Sequence, residues 1–359
     1  MNRPTLIPGL PRTWRGPSEL QLGSDPARAV LLQLTDPRAA GVLDLLDGSR
    51  PERAVLLRAA ELGVAPEDAR ALLDTLHAAG LVLPAAALFP PSLPQQARQR
   101  LTGEAAALAL RAPATRPRRG EADSGPAGVL RRRAAARVTI TGHGRLGAPI
   151  AVALAEAGVG QVHADLPGPV GPAELPGGPL RGTDVGLPRQ EAIAAAVLRA
   201  APGTRTHAVR RGPASLVVQL DHDQPVSLVA AAHAARRQPH LAVTIREGAA
   251  VIGPLVPPDG APCLHCLDLH RRERDAAWPG PAARSRHDTV EPCAVATLLA
   301  AVAYATAEIL GHLDGDAPPA AGAATEITAP SSVRRRTWPA HPACPCARFR
   351  PRPGDKPAR

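Results

Sequence analysis

The alternation of apolar and polar positions divides the chain into two patterned regions. In the first, Glu19–Leu22 and Ala29–Leu34 alternate as short strands do, and Leu81–Leu83 is a further strand after a helical stretch. A small domain of short strands and helices with a core of its own is therefore predicted for residues 1–88.

Three short helices are predicted between these strands. Asp36 caps the first helix, which ends at Asp47–Gly48. Ser49 and Glu52 have the spacing of a capping box that opens the second, and Pro66 opens the third. Apolar positions in the third helix follow a period of 3.6, which predicts one buried face made of Ala69, Leu72, Leu73 and Leu76.

This plan is winged-helix-like, and many such domains bind DNA. However, the third helix carries three carboxylates, Glu67, Asp68 and Asp74, and a single guanidinium, Arg70. Phosphate repulsion opposes docking of such a helix in the major groove. Aromatic residues make up only 2% of the chain, so base-stacking platforms are largely lacking. We therefore expect no nucleic-acid partner.

The stretches Val42–Arg50 and Leu72–Val82 resemble the RiPP recognition element. That family consists of winged-helix-like domains that bind the leader peptides of ribosomally made natural products. In it, the leader adds a strand to the sheet edge and packs against the third helix, so that backbone hydrogen bonds supply affinity and side-chain pockets supply specificity. An interaction domain of unrelated purpose is the alternative interpretation.

In the second region, strands alternate with helices, which predicts a mainly parallel sheet. The strand candidates are Arg137–Thr141, Gln161–Asp165, Ser215–Leu220 and His240–Ile245. Helices are expected at Ala148–Ala157 and Val229–Arg237.

A Gly-x-Gly-x-x-Gly loop joins the first strand of this region to its first helix. Gly142 permits the tight turn, Gly144 lets the backbone approach a phosphate, and Gly147 lets the helix pack closely on the strand. The helix N-terminus offers N–H groups to an anion, and Asp165 ends the next strand where it can bind a ribose. The order predicts a nucleotide site; a Rossmann-type unit kept only for packing is the alternative.

Residues 294–313 are the longest apolar stretch of the chain. Thr297, Thr306 and Glu308 interrupt it, and a carboxylate in a weakly apolar segment argues against a membrane span. We predict a long core helix. The first residues lack the apolar core of a signal peptide, so the expected location is the cytoplasm, without membrane contact.

Composition predicts two further segments. Residues 89–136 are rich in Pro, Arg and Gly and are expected to be a partly disordered linker, with one helix within Gln95–Leu110. Residues 349–359 are expected to be a disordered tail. The formal net charge is +10, and much of it lies in such segments, so charge by itself does not indicate nucleic-acid binding.

Four of the five cysteines form two close pairs, namely Cys263 with Cys266 and Cys344 with Cys346. Two such pairs far apart in sequence are typical of one structural zinc site closed by four thiolates. His265 and His341, each beside a pair, are alternative ligands. A redox C-x-x-C is the rival interpretation: it should open a helix after a strand, and it leaves the second pair unexplained.

Residues 137–348 resemble the ThiF-type superfamily, the homologues of ubiquitin-activating enzymes and sulfur-carrier adenylyltransferases. Cys263–Pro279 and Trp338–Cys346 carry the resemblance, together with the glycine loop. The most similar branch is actinobacterial, is fused to a peptide-recognition domain, and is associated with azole-forming cyclodehydratases of TOMM/bacteriocin-type biosynthesis. The resemblance implies an α/β fold class: a Rossmann-like ThiF-type domain with a mainly parallel sheet and a structural zinc site, preceded by a small winged-helix-like α+β domain.

The resemblance also implies a site for ATP-Mg, and its residues are Gly142, Gly144, Gly147, Asp165, Arg189 and Asp221. Arg189 stands where the family carries its phosphate-binding lysine, and either Asp221 or Asp223 is the metal acid. The family's Asn–Arg pair after the second strand has no counterpart. Because adenylyl transfer depends on charge placed around phosphate, we expect a vestigial site without catalytic residues.

Cys293 stands apart from both cysteine pairs. It follows Glu291 and Pro292 at the predicted start of the 294–313 helix, where a thiol can be acidified. In ubiquitin-activating relatives a cysteine carries the thioester. No base is visible beside Cys293, so a small buried residue is the favoured interpretation.

Two functions follow. The first is a leader-peptide-binding scaffold, implied to be a homodimer, that presents a ribosomal precursor peptide to a YcaO-type cyclodehydratase converting Cys, Ser or Thr to azolines. The alternative is an active ThiF-type adenylyltransferase that uses ATP-Mg to activate the carboxylate of a peptide or carrier protein. A NAD-dependent oxidoreductase is less favoured, because no catalytic His, Lys and Tyr constellation supports it.

Overall fold

The chain divides into two units, Met1–Arg131 and Arg132–Arg359, in a computed structural model. The structure describes residues 3–26, 28–111, 125–210, 212–258, 260, 262–278, 291–316 and 322–346. Residues 112–124 of the predicted linker and the whole predicted tail (349–359) lie outside the described residues.

The first unit is a small α+β unit. Its elements are β1 (Pro4–Leu6), β2 (Arg12–Trp14), β3 (Glu19–Leu22), β4 (Val30–Gln33), a 3-10 helix (Pro37–Leu45), α1 (Glu52–Glu61), α2 (Pro66–Ala78), β5 (Val82–Pro84), α3 (Ala85–Leu88), α4 (Gln95–Arg100) and α5 (Thr102–Arg111). β2, β3 and β4 form an antiparallel sheet in that order, and β1 pairs with β5. The predicted strands and three helices are confirmed, apart from small shifts at their ends.

The core of this unit lies between the three-stranded sheet and the helices. Leu20 and Leu32 are directly paired across β3 and β4 and both are buried. They share one apolar cluster with Leu72 and Leu76 of α2. The buried face predicted for the third helix is thus confirmed, and burying each such leucine contributes about 1.5–3 kcal/mol.

The predicted capping box at Ser49 is wrong. The residue that precedes α1 is Pro51, and it makes no side-chain cap. The Ser49 hydroxyl instead donates to Asp47 Oδ1 at 2.5 Å. Since that local bond already satisfies the hydroxyl, the serine stabilises the turn before the helix rather than the helix itself.

The part of the predicted linker that the structure describes is mostly helical. α4 and α5 cover 95–111, where a single helix was expected, and α6 (Pro126–Ala135) runs across the boundary of the two units. Leu101 and Ala105 pack with Ile7 and Leu88 in a second apolar cluster of the first unit. Composition did not predict that the alanine-rich face of α5 is buried, because these alanines lie within a segment dominated by Pro and Arg.

The second unit is an α/β unit built on one seven-stranded sheet. Its elements after α6 are β6 (Arg137–Thr141), α7 (Gly147–Glu156), β7 (Gln161–Asp165), two 3-10 turns (Pro172–Glu174 and Gly182–Asp184), α8 (Arg189–Ala200), β8 (Leu216–Gln219), α9 (Val226–Ala235), β9 (His240–Arg246), β10 (Ala249–Val256), α10 (Leu264–Arg274), α11 (Val295–Asp314), β11 (Ala323–Ala329) and β12 (Ser332–Thr337). The strand order is β12-β11-β10-β9-β8-β6-β7.

The α/β fold and the parallel part of the sheet are confirmed. β7, β6, β8 and β9 are parallel. β10, β11 and β12 then extend the sheet as antiparallel strands, which the sequence analysis did not anticipate. Short hairpin connections at Glu247–Gly248 and at the end of β11 allow these antiparallel neighbours, whereas parallel strands need a crossover helix.

Helices cover both faces of the sheet. One apolar cluster joins α7, α8 and α11 to the inner residues of β6 to β11. A second joins α9 and α10 to the four paired cysteines and Trp338 on the other face. α11 is long and apolar enough to cross a membrane by composition, but Leu298, Ala301 and Ile309 are buried in the first cluster. It is the core helix that the sequence predicts.

A buried ion pair fastens the end of α11 to α6. Arg133 Nη2 lies 2.6 Å from Asp314 Oδ2, and its Nε donates to Oδ1 at 2.8 Å. Arg133 Nη1 also donates to the Ala157 carbonyl at 3.1 Å. The two side chains are only 2% and 9% exposed, so each charge depends on the other for its solvation.

We expect Arg133→Met to lower the free energy of unfolding by about 3–5 kcal/mol, because it leaves a buried carboxylate without its partner. The double variant Arg133→Met with Asp314→Leu should recover most of that loss. Urea unfolding of the three proteins measures both values. A single variant as stable as the parent chain would contradict this role.

Candidate functional site

The glycine loop lies where the sequence places it, between β6 and α7. Gly142 has φ +108°, and a Cβ there would overlap the carbonyl oxygen of Asp221. His143 N–H donates to that same oxygen at 2.9 Å. A Cβ on Gly147 would overlap Leu166. Two of the three glycines therefore allow close packing of the loop against β8 and the residue after β7.

Gly144, the remaining glycine of the loop, lies against a protein carboxylate. A Cβ on Gly144 would lie 2.8 Å from Glu291 Oε1, and the Arg145 N–H donates to Glu291 Oε2 at 2.7 Å. Burial raises the pKa of Glu291 despite that hydrogen bond. The loop thus presents its backbone to an anion, as a phosphate loop does, and the anion that it holds belongs to the same chain.

The Arg145 side chain also makes hydrogen bonds within this region. Its guanidinium donates to the carbonyl oxygens of Glu291 and Cys293, each at 3.3 Å, and to that of Pro176 at 3.4 Å. Arg145 therefore fastens the segment before α11 to the glycine loop. This contact spans nearly 150 residues of sequence, and the local pattern gave no sign of it.

Arg189, the predicted phosphate ligand, forms a closed set of contacts in the structure. Its Nε donates to Glu174 Oε2 and its Nη2 donates to Glu174 Oε1, each at 2.9 Å. Nη1 donates to the Pro167 carbonyl, and Nη2 donates to that of Pro169 at 2.8 Å. Such bidentate pairing fixes a guanidinium in place, and here it joins the start of α8 to the loop after β7.

The two predicted acids lie at the carboxyl ends of β7 and β8, the two strands that flank β6 in the sheet. Asp165 is exposed at the carboxyl end of β7. Asp221 follows β8, and its Oδ1 accepts a hydrogen bond from Thr244 Oγ1 at 2.7 Å. Asp223, the other candidate metal acid, lies 3.4 Å from His143 Nε2. The structure therefore separates the two: Asp221 borders a cleft, and Asp223 lies beside the glycine loop.

The cleft beside Asp221 is a feature that the sequence analysis missed. It has a volume of about 540 Å³ and lies against the face of β9 to β12 that α9 and α10 cover. Four arginines line it: Arg246, Arg271, Arg274 and Arg336. Asp268 and Glu326 are among its acids. Alternate residues of a strand lie on one face of the sheet, and Ala324, Glu326 and Thr328 of β11 line the cleft in this way. Their common face could be recognised from the sequence only if the pairing of β10 to β12 were known.

Two tryptophans form part of the cleft wall, and each makes a cation–π contact with an arginine. The guanidinium of Arg271 lies 5.4 Å from the Trp278 ring, and that of Arg274 lies 4.9 Å from the Trp338 ring. The Trp278 N–H donates to Asp268 Oδ1 at 3.1 Å. Cation–π contacts of this kind hold a cation without neutralising it. The carboxylates of Asp221, Glu247, Asp268 and Glu326 line the same cleft, so its described wall offers both charges beside two aromatic rings.

The four paired cysteines meet in one buried cluster. Cys263 Sγ lies 3.9 Å from Cys266 Sγ and 3.6 Å from Cys344 Sγ, and Cys266 Sγ lies 3.3 Å from Cys346 Sγ. Zn–S bonds of about 2.3 Å in a tetrahedron place sulfurs about 3.8 Å apart. All four side chains are buried. The donor set therefore fits a closed zinc site.

Proton sharing within this cluster agrees with a cation-binding role. The hydrogen bond that Cys263 donates to Cys266 raises the pKa of Cys263 and lowers the pKa of Cys266 to about 4. Burial raises the pKa of Cys346 to about 12. Four buried thiols held this closely cannot all ionise without a cation, and zinc ligands must be deprotonated.

The alternatives that the sequence left open can now be located. Cys263 lies at the N-cap of α10 after β10, as a redox motif requires, but the second cysteine pair directly contacts the first. His341 lies beside Glu273, outside the four-sulfur cluster. The pKa of Cys293 is raised by burial rather than lowered, and its half-buried side chain packs against the core of the second unit.

A glycine loop after a parallel strand, an acid after the next strand and a split four-thiol cluster define a ThiF-type fold. No protein-family model and no curated protein matches the chain. Comparison with solved structures shows the fold. E. coli MccB in complex with ATP shares 16% identity with this chain, over 96% of this chain and 99% of MccB, with a TM-score of 0.59.

Two further structures agree. The microcin C7 biosynthetic enzyme MccB in complex with N-formylated MccA has 15% identity, covers 96% of this chain and 99% of its own, and has a TM-score of 0.58. PaaA has 13% identity, covers 92% and 98%, and has a TM-score of 0.60. The chain therefore has an MccB-like ThiF fold along nearly its whole length.

We expect Glu291→Gln to tighten the binding of Mg-pyrophosphate by about tenfold, a change of roughly 1.4 kcal/mol. The substitution keeps the shape of the side chain and removes the negative charge that competes with phosphate. Isothermal titration calorimetry measures the affinity. Glu156→Gln, an exposed carboxylate on α7, is the matched control, and equal affinities for the two variants would contradict the competition.

We expect Cys344→Ser to lower zinc content and thermal stability together, because a three-thiolate remnant leaves the buried cluster without a closed cation site. Elemental analysis and a thermal melt measure the two effects. Cys293→Ser is the matched control and should change neither. Full zinc occupancy in a Cys263→Ser, Cys344→Ser double variant would exclude four-thiolate ligation.

Proposed function

We propose that the chain is a leader-peptide-binding scaffold. The first unit captures the leader of a ribosomal precursor peptide. The second unit, held together by a structural zinc ion and forming a cytoplasmic homodimer, presents that peptide to a YcaO-type partner that forms azolines. The observation that carries the proposal is the open edge of the first unit's sheet at β4.

β4 is an edge strand that lacks the usual protection. Among the described residues it pairs on one side only, with β3. It contains no proline and no charged residue, and Leu31 is 49% exposed. Protected edges carry prolines, charges or covering elements. An open, apolar edge strand is the surface to which an extended peptide adds by backbone hydrogen bonding.

The opposite edge of the same sheet is less suitable. β2 lies between Pro11 and Pro17, and neither can donate a hydrogen bond to an added strand. Arg12 in β2 also forms an ion pair with Asp44 at 2.6 Å. The peptide site is therefore assigned to β4.

The outward hydrogen-bonding groups of β4 follow from its register. Leu34 N–H donates to the Ser18 carbonyl at 2.8 Å. Residues of an antiparallel strand alternate between facing their partner and facing away. The N–H and C=O groups of Leu32 therefore face β3, and those of Leu31 and Gln33 face the position of the added strand.

The fold comparison supports a peptide ligand. MccB has been solved in complex with the peptide MccA, and it shares this chain's fold along nearly its whole length. We assign the cleft beside Asp221 to the part of the peptide that follows the leader, since its two tryptophans and its lining of arginines and carboxylates offer ring faces and hydrogen-bonding groups to an extended segment.

The contacts of the nucleotide loop favour a scaffold over an adenylating enzyme. Glu291 holds the anion position of the glycine loop, and Glu174 neutralises Arg189. Phosphoryl and adenylyl transfer depend on positive charge directed at phosphate. With both groups engaged by carboxylates, ATP-Mg binds only weakly at Gly142, Gly144, Gly147, Asp165 and Asp221, because it must compete with Glu291.

The second candidate is an adenylyltransferase acting on a peptide carboxylate. One observation favours it: Asp221 contacts the glycine loop through its backbone and borders the cleft with its side chain. That arrangement suits a metal-binding acid between a nucleotide and a peptide end. MccB, which has been solved with ATP, shares the fold. Displacement of Glu291 on substrate binding is what this function requires.

We expect Leu31→Pro to weaken binding of the precursor peptide at least about tenfold. Proline removes one outward N–H, and the lost hydrogen bond together with the altered edge accounts for roughly 1.4 kcal/mol or more. The ladder between β3 and β4 keeps its own bonds. Fluorescence anisotropy with a labelled precursor peptide measures the affinity.

Leu31→Ala is the matched control, because it keeps the backbone N–H and removes only the side chain. It should retain more of the affinity than Leu31→Pro. A circular dichroism melt checks that each variant is folded. Unchanged binding by a folded Leu31→Pro variant would exclude strand addition at β4.

A further inference from the structure

A second group of metal-binding side chains lies beyond the four cysteines on α10. His270 and Glu273 are three residues apart and so lie on one face of that helix. His341 comes from the segment after β12. One ligand atom of each residue lies within 4.8 Å of the others. None of the three belongs to the four-sulfur cluster, to the cleft wall or to the nucleotide loop.

The distances are those of a cluster that lacks a central cation. Glu273 Oε1 lies 2.8 Å from His341 Nε2, and Glu273 Oε2 lies 3.5 Å from His270 Nδ1. Ligands at about 2.0–2.1 Å from a tetrahedral zinc ion lie about 3.3–3.4 Å from one another. Small side-chain movements bring all three donors to those distances.

His270 is oriented as a metal ligand. Its Nε2 lies 3.1 Å from the Pro339 carbonyl, which can only accept, so Nε2 carries the proton. The ring is thereby oriented with Nδ1 towards Glu273 Oε2, 3.5 Å away. A divalent cation placed between these two atoms would be coordinated by both. A backbone carbonyl that fixes the distal N–H is also a common second contact of metal-bound histidine.

His341 brings a buried nitrogen to the same point. Its side chain is 4% exposed, and its Nε2 makes no hydrogen bond within the described residues, even though Glu273 Oε1 is only 2.8 Å away. The carboxylate thus lies close but off the line of an N–H bond. A buried nitrogen without an aligned partner is costly, and a cation bound at Nε2 would remove that cost.

One contact has to change when a cation binds. Ala343 N–H donates to His341 Nδ1 at 3.1 Å, and coordination through Nε2 moves the ring proton to Nδ1. Ala343 is exposed in a turn, so its N–H can turn to water at a modest cost. Coordination by three ligands is worth far more than one such bond.

We propose that His270, Glu273 and His341 form a second metal site, which takes zinc or another first-row divalent cation with two imidazoles and one carboxylate. Three protein ligands leave a fourth position open for water, unlike the closed four-thiolate site. Both sites join α10 to the segment after β12. The second one fastens the residues around Trp338, whose ring lies 6.0 Å from that of His270.

Zinc stoichiometry of the full chain tests the proposal. Purified protein is equilibrated with a small excess of Zn²⁺, freed of unbound metal by gel filtration, and analysed for zinc and sulfur. We expect about two zinc ions per parent chain and about one for His270→Ala, Glu273→Gln or the double variant. His77→Ala, an exposed histidine of the first unit, is the control and should keep both ions.

Cobalt distinguishes the two sites spectroscopically. Co²⁺ added to parent chain that carries one equivalent of Zn²⁺, enough to fill the four-thiolate site alone, should give ligand-field absorption without thiolate-to-cobalt charge transfer, and that absorption should be absent from Glu273→Gln. The Glu273 side chain is 60% exposed, so this variant is expected to fold. One zinc per parent chain, or two in the folded His270→Ala, Glu273→Gln variant, would overturn the proposal.

Discussion

The contact on which the second unit most depends is the meeting of four buried thiols. Cys344 and Cys346 come from the end of the described chain, and Cys263 and Cys266 from the start of α10. This contact brings two segments about 80 residues apart into one cluster. The cleft takes one wall from α10 and another from β12 and Trp338, so the thiol cluster helps to fix the distance between those walls. Under the proposed function, walls fixed in advance lower the entropy cost of binding a peptide.

Asp221 connects this cleft to the glycine loop. Its carbonyl accepts the His143 N–H at the loop, and its carboxylate accepts the Thr244 hydroxyl at the cleft. The loop in turn is held through its own Arg145, whose N–H and guanidinium donate to the carboxylate and the carbonyl of Glu291. The glycine loop and the cleft thus share one aspartate, and Glu291 from the segment before α11 holds the anion position of the loop. Under the proposed function, the chain keeps its glycine loop as a structural element while its peptide-binding surfaces carry the role.

The sequence predicted what local patterns determine. The strand, glycine turn, helix, strand and acid of residues 137–165 form as expected, because their chemistry depends on neighbours in sequence. The cluster of the two cysteine pairs could also be predicted, because the close spacing of metal ligands within each pair is a local signal. Glu291 and the Glu174–Arg189 pair were missed, since each depends on contacts between distant segments. The antiparallel strands β10 to β12 were missed as well, because an exposed strand such as β12 carries little apolar alternation.

ATP–pyrophosphate exchange in the presence of Mg²⁺ and the precursor peptide tests the central claim most directly. The claim is that this chain binds and presents a peptide, and that carboxylates occupy the groups that adenylation requires. The account predicts that the full chain, at peptide concentrations that saturate the first unit, gives no exchange above a control without protein. Peptide-dependent exchange that is lost in Asp221→Asn would contradict it and would establish an adenylyltransferase instead.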